Sequence, residues 1–137
     1  MTPPFSDPEQ QALAALVGQI IPASQEYAQP GADDPAILRD ILISGGSLHS
    51  RIAAALATLI GGAIDAPRAA AFRQAFPTEA ELIQTLTVQC YYRDARVMRA
   101  LNIENRPPFP DGYTQEPNDL SLLDPVRQRG EIYRKVP

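Results

Sequence analysis

The feature that most restricts what this chain can fold into is the placement of four prolines. Pro8, Pro35 and Pro67 stand just behind a capping residue, in Ser6-Asp7-Pro8-Glu9, Asp34-Pro35 and Asp65-Ala66-Pro67, and Pro77 precedes Thr78-Glu79-Ala80-Glu81. Proline is compatible with the first turn of a helix, is excluded from its interior, and pushes the residue before it out of the helical region. Each of these sites therefore starts one helix and prevents the previous one from continuing. Serine, threonine or aspartate at the cap, with glutamate three residues later at Ser6 and Thr78, satisfies backbone N–H groups that a helix start leaves open.

Apolar residues follow each start at helical spacing. Leu13, Leu16, Val17, Ile20 and Ile21 form the first stripe, ended by Pro22, and Ile37, Leu38, Ile41 and Leu42 form the second, ended by Gly45-Gly46. Ser47 can cap a third helix, whose Leu48, Ile52, Leu56, Leu59 and Ile60 make it the expected most buried element. A short alanine-rich helix carries Phe72 and Phe76, and a fifth, capped at Thr78, carries Leu82, Ile83, Leu86 and Cys90. Asp94 can cap a last short helix through Val97, Met98 and Leu101, or the fifth helix can run on through it. Gly18 inside the first helix costs about 1 kcal/mol relative to alanine, which fits a place where another helix approaches closely. No stretch alternates in the β manner. The expected fold is all-α: a globule of five to six helices over residues 1–102, followed by an extended, Pro-rich C-terminal arm over 103–137 that holds six prolines and no apolar period.

Composition narrows the function. In 137 residues there are one cysteine, one histidine and no tryptophan, so neither an internal disulfide nor an ordinary zinc site can be built. The net charge of -4 gives no global attraction to nucleic acid. Ile52 to Ile64, the longest apolar run, is shorter than the roughly 20 residues that a membrane-spanning helix needs. The first residues lack the basic and apolar regions of a secretory signal, so a cytoplasmic location is expected, with a periplasmic one only by co-export with a partner. Phosphate-binding glycine loops and the nucleophile-elbow motif are both missing.

Few side chains remain as candidates for chemistry. His49 lies beside Ser47 and Ser50, but residues one or two apart do not face each other on a helix, so a small enzyme built on His49 is the weakest reading and a structural histidine the default. Cys90 reads as a small buried hydrophobe, with thiol reactivity as the alternative if Tyr91 and Arg93 lower its pKa. Asp33-Asp34 and Glu79-Glu81 stand at helix starts, where carboxylates oppose the macrodipole. No residue is assigned a catalytic, cofactor-binding or metal-binding role.

The densest constellation is Tyr91-Tyr92-Arg93-Asp94-Ala95-Arg96-Val97-Met98-Arg99 with Arg106-Pro107-Pro108-Phe109-Pro110-Asp111-Gly112-Tyr113. Residues 91–137 hold five of the nine aromatics, and 8 basic against 7 acidic groups, whereas residues 1–90 hold 4 against 9. On a continuous helix Arg93, Arg96 and Arg99 would share a face. Tyrosine and arginine are enriched at protein-binding hot spots, and a Pro-stiffened arm loses less entropy on docking. The candidate partner-binding residues are Tyr91, Tyr92, Arg93, Asp94, Arg96, Arg106, Phe109, Pro110 and Tyr113. The alternative is a solvated basic face with Asp94 as its local partner.

Leu13-Ala14-Ala15-Leu16-Val17-Gly18-Gln19-Ile20-Ile21-Pro22-Ala23, followed by Gln29-Pro30-Gly31-Ala32, is similar to the start of the gluconate 2-dehydrogenase subunit 3 family. Tyr91-Tyr92-Arg93-Asp94, Arg106-Pro107-Pro108-Phe109-Pro110 and Leu122-Leu123-Asp124-Pro125-Val126-Arg127 resemble a branch of it found beside glucose–methanol–choline type flavoproteins. The twin-arginine signal that many of these subunits carry is not seen here. The resemblance implies a non-catalytic accessory subunit that binds and stabilises a larger FAD-dependent alcohol or sugar dehydrogenase, with FAD in the partner and none in this chain. A free-standing helical adaptor for some unrelated protein is the alternative. On either reading the purified chain should show neither a stoichiometric flavin spectrum nor a bound transition metal, and either one would overturn it.

Overall fold

The computed structural model describes residues 4–104, 112 and 117–131. The chain divides into two compact units, Met1–Asn105 and Arg106–Pro137. In the first, six α-helices follow one another: α1 (Asp7–Ile20), α2 (Pro35–Ser44), α3 (His49–Ala57), α4 (Ala66–Ala75), α5 (Pro77–Tyr91) and α6 (Ala95–Ala100), with a single 3₁₀ turn, Gly45–Leu48, between α2 and α3. The described residues contain no strand, only an isolated antiparallel bridge between Ser24 and Gln29. The fold is all-α.

The caps operate largely as their sequences dictate. The Ser6 N–H and hydroxyl both donate to Glu9 Oε2 at 2.8 Å. Asp34 accepts from the Ala36 N–H at 3.0 Å, Asp65 from the Arg68 N–H at 2.9 Å, and Asp94 from the Arg96 N–H at 2.8 Å. Asp94 thus opens a separate α6. Two starts differ from expectation. Ser47 caps nothing: it lies inside the 3₁₀ turn, and α3 begins at His49 without a side-chain cap. Thr78 is not a cap either, because Pro77 presets the helical φ and α5 begins there.

The helix that buries the most residues is α5 and not α3, although α3 is buried to the same proportion over its shorter length. It meets α1, α2, α3 and α4, and it buries Ile83, Leu86, Thr87, Cys90 and Tyr91, where α3 buries Ile52, Ala55 and Leu56. The Thr87 hydroxyl, fully buried, donates back to the Ile83 carbonyl at 2.7 Å, so its burial leaves no donor unpaired. Gly45 packs closely at the α2 exit, where a Cβ would come within 2.8 Å of Leu86 Cδ2 on α5 and make that side chain shift. Gly18 answers to a side chain and not to a helix: a Cβ would sit 3.2 Å from the Asp33 carboxyl carbon. The Arg68 guanidinium closes the far end of α3, donating to the carbonyls of Thr58, Leu59 and Ala63 at 3.0–3.3 Å.

In the second unit, residues 117–131 are not simply extended, as the proline content suggests. Asp119 accepts from the Ser121 N–H at 3.0 Å, a 3₁₀ turn runs Leu120–Leu123, and α7 (Asp124–Arg129) starts with Pro125 in its first turn and ends at Gly130, φ +67°. Asp124-Pro125 resembles the Asp34-Pro35 start of α2, but Asp124 is itself the first residue of α7 and caps nothing; the side-chain cap of this segment is Asp119, at the start of the 3₁₀ turn that runs into α7.

The α5 wall should dominate stability. Truncating fully buried Ile83 to alanine removes three carbons from the contact between helices and should lower the unfolding free energy by about 2–5 kcal/mol, read by chemical denaturation.

Candidate functional site

The apolar strip of α5 ends at Tyr91, and the candidate site is built where the chain then turns. Tyr91 is buried, and its hydroxyl donates to the Pro30 carbonyl at 3.0 Å, tying the end of α5 to the loop after α1. Burial, with smaller contributions from Tyr92 and Asp94, pushes its phenol pKa up, so it stays a neutral donor. Tyr92 points outward, 51% exposed, with its ring edge-on to Tyr91 at 5.3 Å. Val97 on α6 is fully buried beneath them.

The loop supplies the opposite wall. Ser24 and Gln29 exchange backbone hydrogen bonds of 2.9 and 3.0 Å, which throws out a tight excursion with Ala28 at φ +50° and leaves Tyr27 68% exposed. The Ala32 N–H donates to the Ile21 carbonyl at 2.9 Å, and Ala32 is fully buried. Gly31 has no room for a Cβ, which would strike the Asp33 carboxylate and lie 3.0 Å from the Ala23 nitrogen. Beyond α6 the chain closes in a Schellman motif: Ile103 N–H to Met98 carbonyl at 2.9 Å, Asn102 N–H to Arg99 carbonyl at 3.0 Å, and Asn102 left-handed at φ +61°. That closure leaves Leu101 and Ile103 exposed. It also carries the first unit past Ile103, where the composition changes.

Between these walls lies an open groove of about 300 Å³, lined by Ile21, Tyr27, Gln29, Tyr91, Tyr92, Val97, Ala100 and Leu101. The lining has no carboxylate, imidazole or thiol. It offers aromatic and aliphatic contact area with a few hydrogen-bonding tips.

The arginines beside it do not form one face. The break between α5 and α6 places Arg93 in a turn, where Nε and Nη2 donate to Asp40 Oδ2 on α2 at 2.9 and 2.7 Å, and Nη2 also donates to Ser44 Oγ at 2.8 Å. Arg96 grips Asp34 through two parallel bonds of 2.7 and 3.1 Å and Asp94 through two more of 3.0 and 3.1 Å. Arg99 donates to the Ala95 carbonyl at 3.0 Å. Arg93 and Arg96 thus brace the turn and α6 against α2. Arg106, Phe109, Pro110 and Tyr113 lie outside the described residues. Tyr27, which nothing in the sequence singled out, and Ile21 and Leu101, expected only as apolar helix positions, also line the groove.

The other candidates fall within the fold. His49 Nε2 is 3.1 Å from Glu9 Oε1, and its ring meets buried Phe5 edge-on at 4.9 Å, so its polar partner is the α1 capping glutamate. Burial pushes the Cys90 thiol pKa up, which fits a small hydrophobe and not a reactive thiol. The described residues include no cluster of three or more His, Cys, Asp or Glu able to hold a metal, and none of the described helices is long and apolar enough to cross a membrane. No protein family, curated protein or solved structure matches the chain.

The Arg96 brace sets a pH dependence. Its hydrogen bonds hold the Asp34 and Asp94 carboxyls below their ordinary range. Because the folded pKa values are depressed, this stabilisation is complete above the unfolded value near 4 and is lost as pH falls through the folded values. Arg96→Ala should lower stability by about 1 kcal/mol at neutral pH, since the network is partly exposed. It should also flatten the fall in melting temperature between roughly pH 5 and 2. Thermal melts of both proteins across that range check it.

Proposed function

We propose that this chain is a non-catalytic accessory subunit whose helical unit docks on, and stabilises, a larger FAD-dependent alcohol or sugar dehydrogenase. The observation that carries the docking part is the groove between Tyr27 and Tyr92. Two tyrosines, more than half exposed, stand over a floor fixed by the Tyr91–Pro30 hydrogen bond and by buried Val97. Tyrosine offers a large rigid contact at low entropic loss, and a pre-organised floor reduces the cost of binding. The groove's lack of acid, base or thiol favours contact over catalysis.

What supports a flavoprotein as the partner is the resemblance of the first helix with its Gly31-Ala32 loop, and of Tyr91–Asp94, to the accessory-subunit family. Those residues form the frame of the groove: Ile21 and Ala32 join the loop to α1, and Tyr91 joins it to α5. An adaptor for an unrelated protein would use the same groove, so the partner's chemistry separates the two.

The tagged chain purified from its host should bring with it a yellow, FAD-containing protein of the glucose–methanol–choline type, with dehydrogenase activity on an alcohol or sugar. Tyr92→Ala should weaken that complex by ~1–4 kcal/mol with little change in melting temperature. Recovery of the chain with a partner that carries no flavin would assign it to the adaptor class.

A further inference from the structure

The side-chain tips that the Tyr27–Tyr92 groove leaves open are of one kind. The Tyr91 hydroxyl donates to the Pro30 carbonyl at 3.0 Å, and Gln29 Oε1 lies 3.4 Å from the same hydroxyl, so the amide oxygen is turned to Tyr91. The Ile21 carbonyl is taken by the Ala32 N–H, and the Gln29 carbonyl by the Ser24 N–H. What remains along the walls is Gln29 Nε2 and the hydroxyls of Tyr27 and Tyr92, all of them able to donate. Charge is one-sided as well. Asp34, Asp40 and Asp94 are paired with Arg93 and Arg96, whereas Glu26, exposed beside Tyr27 in the same excursion, makes no ion pair among the described residues.

We infer that the groove takes a proline-rich segment of the flavoprotein in the polyproline II conformation, with a lysine or arginine at the end that meets Glu26. The inference rests on the accessory-subunit reading and names what the groove grips on that partner. Donor tips over an aliphatic lining match a ligand that brings backbone carbonyls and apolar surface together. A helix has its carbonyls bonded internally, and an added strand is held by a sheet edge, which the described residues do not have. Polyproline II makes no internal hydrogen bonds, so its carbonyls stay open, and each proline lacks the N–H that would need an acceptor. Proline-rich segments dock in aromatic-lined grooves, and here Tyr27 and Tyr92 supply the aromatic surface, with Val97, Ala100 and Leu101 as the aliphatic part. A ligand already held in that conformation loses little entropy on binding. The unpaired carboxylate of Glu26 is complemented by a basic side chain at the ligand's end.

The test uses the full chain, the purified flavoprotein and a synthetic probe, one arginine followed by nine prolines, with a control peptide in which alanine replaces every proline. The probe should shift the amide NMR signals of residues 24–29 and 92–101 and displace the flavoprotein from the chain, and the control should do neither. Tyr27→Phe and Tyr92→Phe keep both rings, so the melting temperature should hold while each lost hydroxyl weakens probe binding about two- to tenfold. A complex with the flavoprotein that the probe does not displace, or equal binding of the two peptides, would overturn the ligand class and leave the accessory reading standing. A chain that binds the probe but not the flavoprotein would remove the flavoprotein as the source, and the accessory reading with it. Arg106-Pro107-Pro108-Phe109-Pro110 has a composition close to that of the probe. If Pro107→Ala with Pro108→Ala tightens probe binding tenfold or more, or abolishes a dimer of the free chain, the occupant is this chain's own segment and the inference is overturned.

Discussion

Ile83, Leu86, Thr87 and Cys90 form a buried strip along α5 that meets α1, α2, α3 and α4, so the other four long helices share one wall. Aliphatic side chains such as Ile83 and Leu86 contribute about 1.5–3 kcal/mol each when fully buried, and they sit on one helix that proline starts and a turn ends. The position of everything downstream follows from where that strip stops. At Tyr91 the side chain is still inside, with its hydroxyl fixed to the Pro30 carbonyl, and one residue later Tyr92 faces solvent. The groove is the mouth of the core, opened where the apolar period runs out.

Electrostatics then keeps the mouth in shape. α6 is only six residues long, too short to hold itself, and it is anchored by buried Val97 and by Arg96 on Asp34 and Asp94. Arg93 does the same for the turn through Asp40 and Ser44. Both arginines are therefore positioning groups for the surface, and Tyr27, Tyr92 and Leu101 present it. This division changes how the Tyr-Arg cluster works. On the proposed docking role, the aromatics are the side chains left free for contact, while Arg93 and Arg96 are engaged within the fold.

Much of this was legible in the residues. The caps at Ser6, Asp34, Asp65 and Asp94 act through bonds to neighbours two or three residues away, which a sequence states directly. The starts of α3 and α5 were misread because Ser47 and Thr78 have the right side chains in the wrong places: Ser47 lies inside the 3₁₀ turn that leads into α3, and Thr78 follows Pro77, which already opens α5. Tyr27 was missed because an isolated tyrosine between Pro22 and Pro30 carries no period; the excursion closed by the Ser24–Gln29 backbone pairing places it beside Tyr92 in the groove. Asn102 could have been found, since asparagine after a helix end is a common left-handed terminator, and so could α7 from Asp124-Pro125 and Gly130. The pairing of Arg96 with Asp34 spans 62 positions and has no local signature.

Amide hydrogen exchange of the chain, alone and bound to the proposed flavoprotein partner, tests the central claim most directly. Residues 24–29 and 92–103 should gain protection in the complex, while α3 and α4, away from the groove, should exchange as they do in the free chain. Protection confined to α3 and α4, with the tyrosine groove unchanged, would contradict the account.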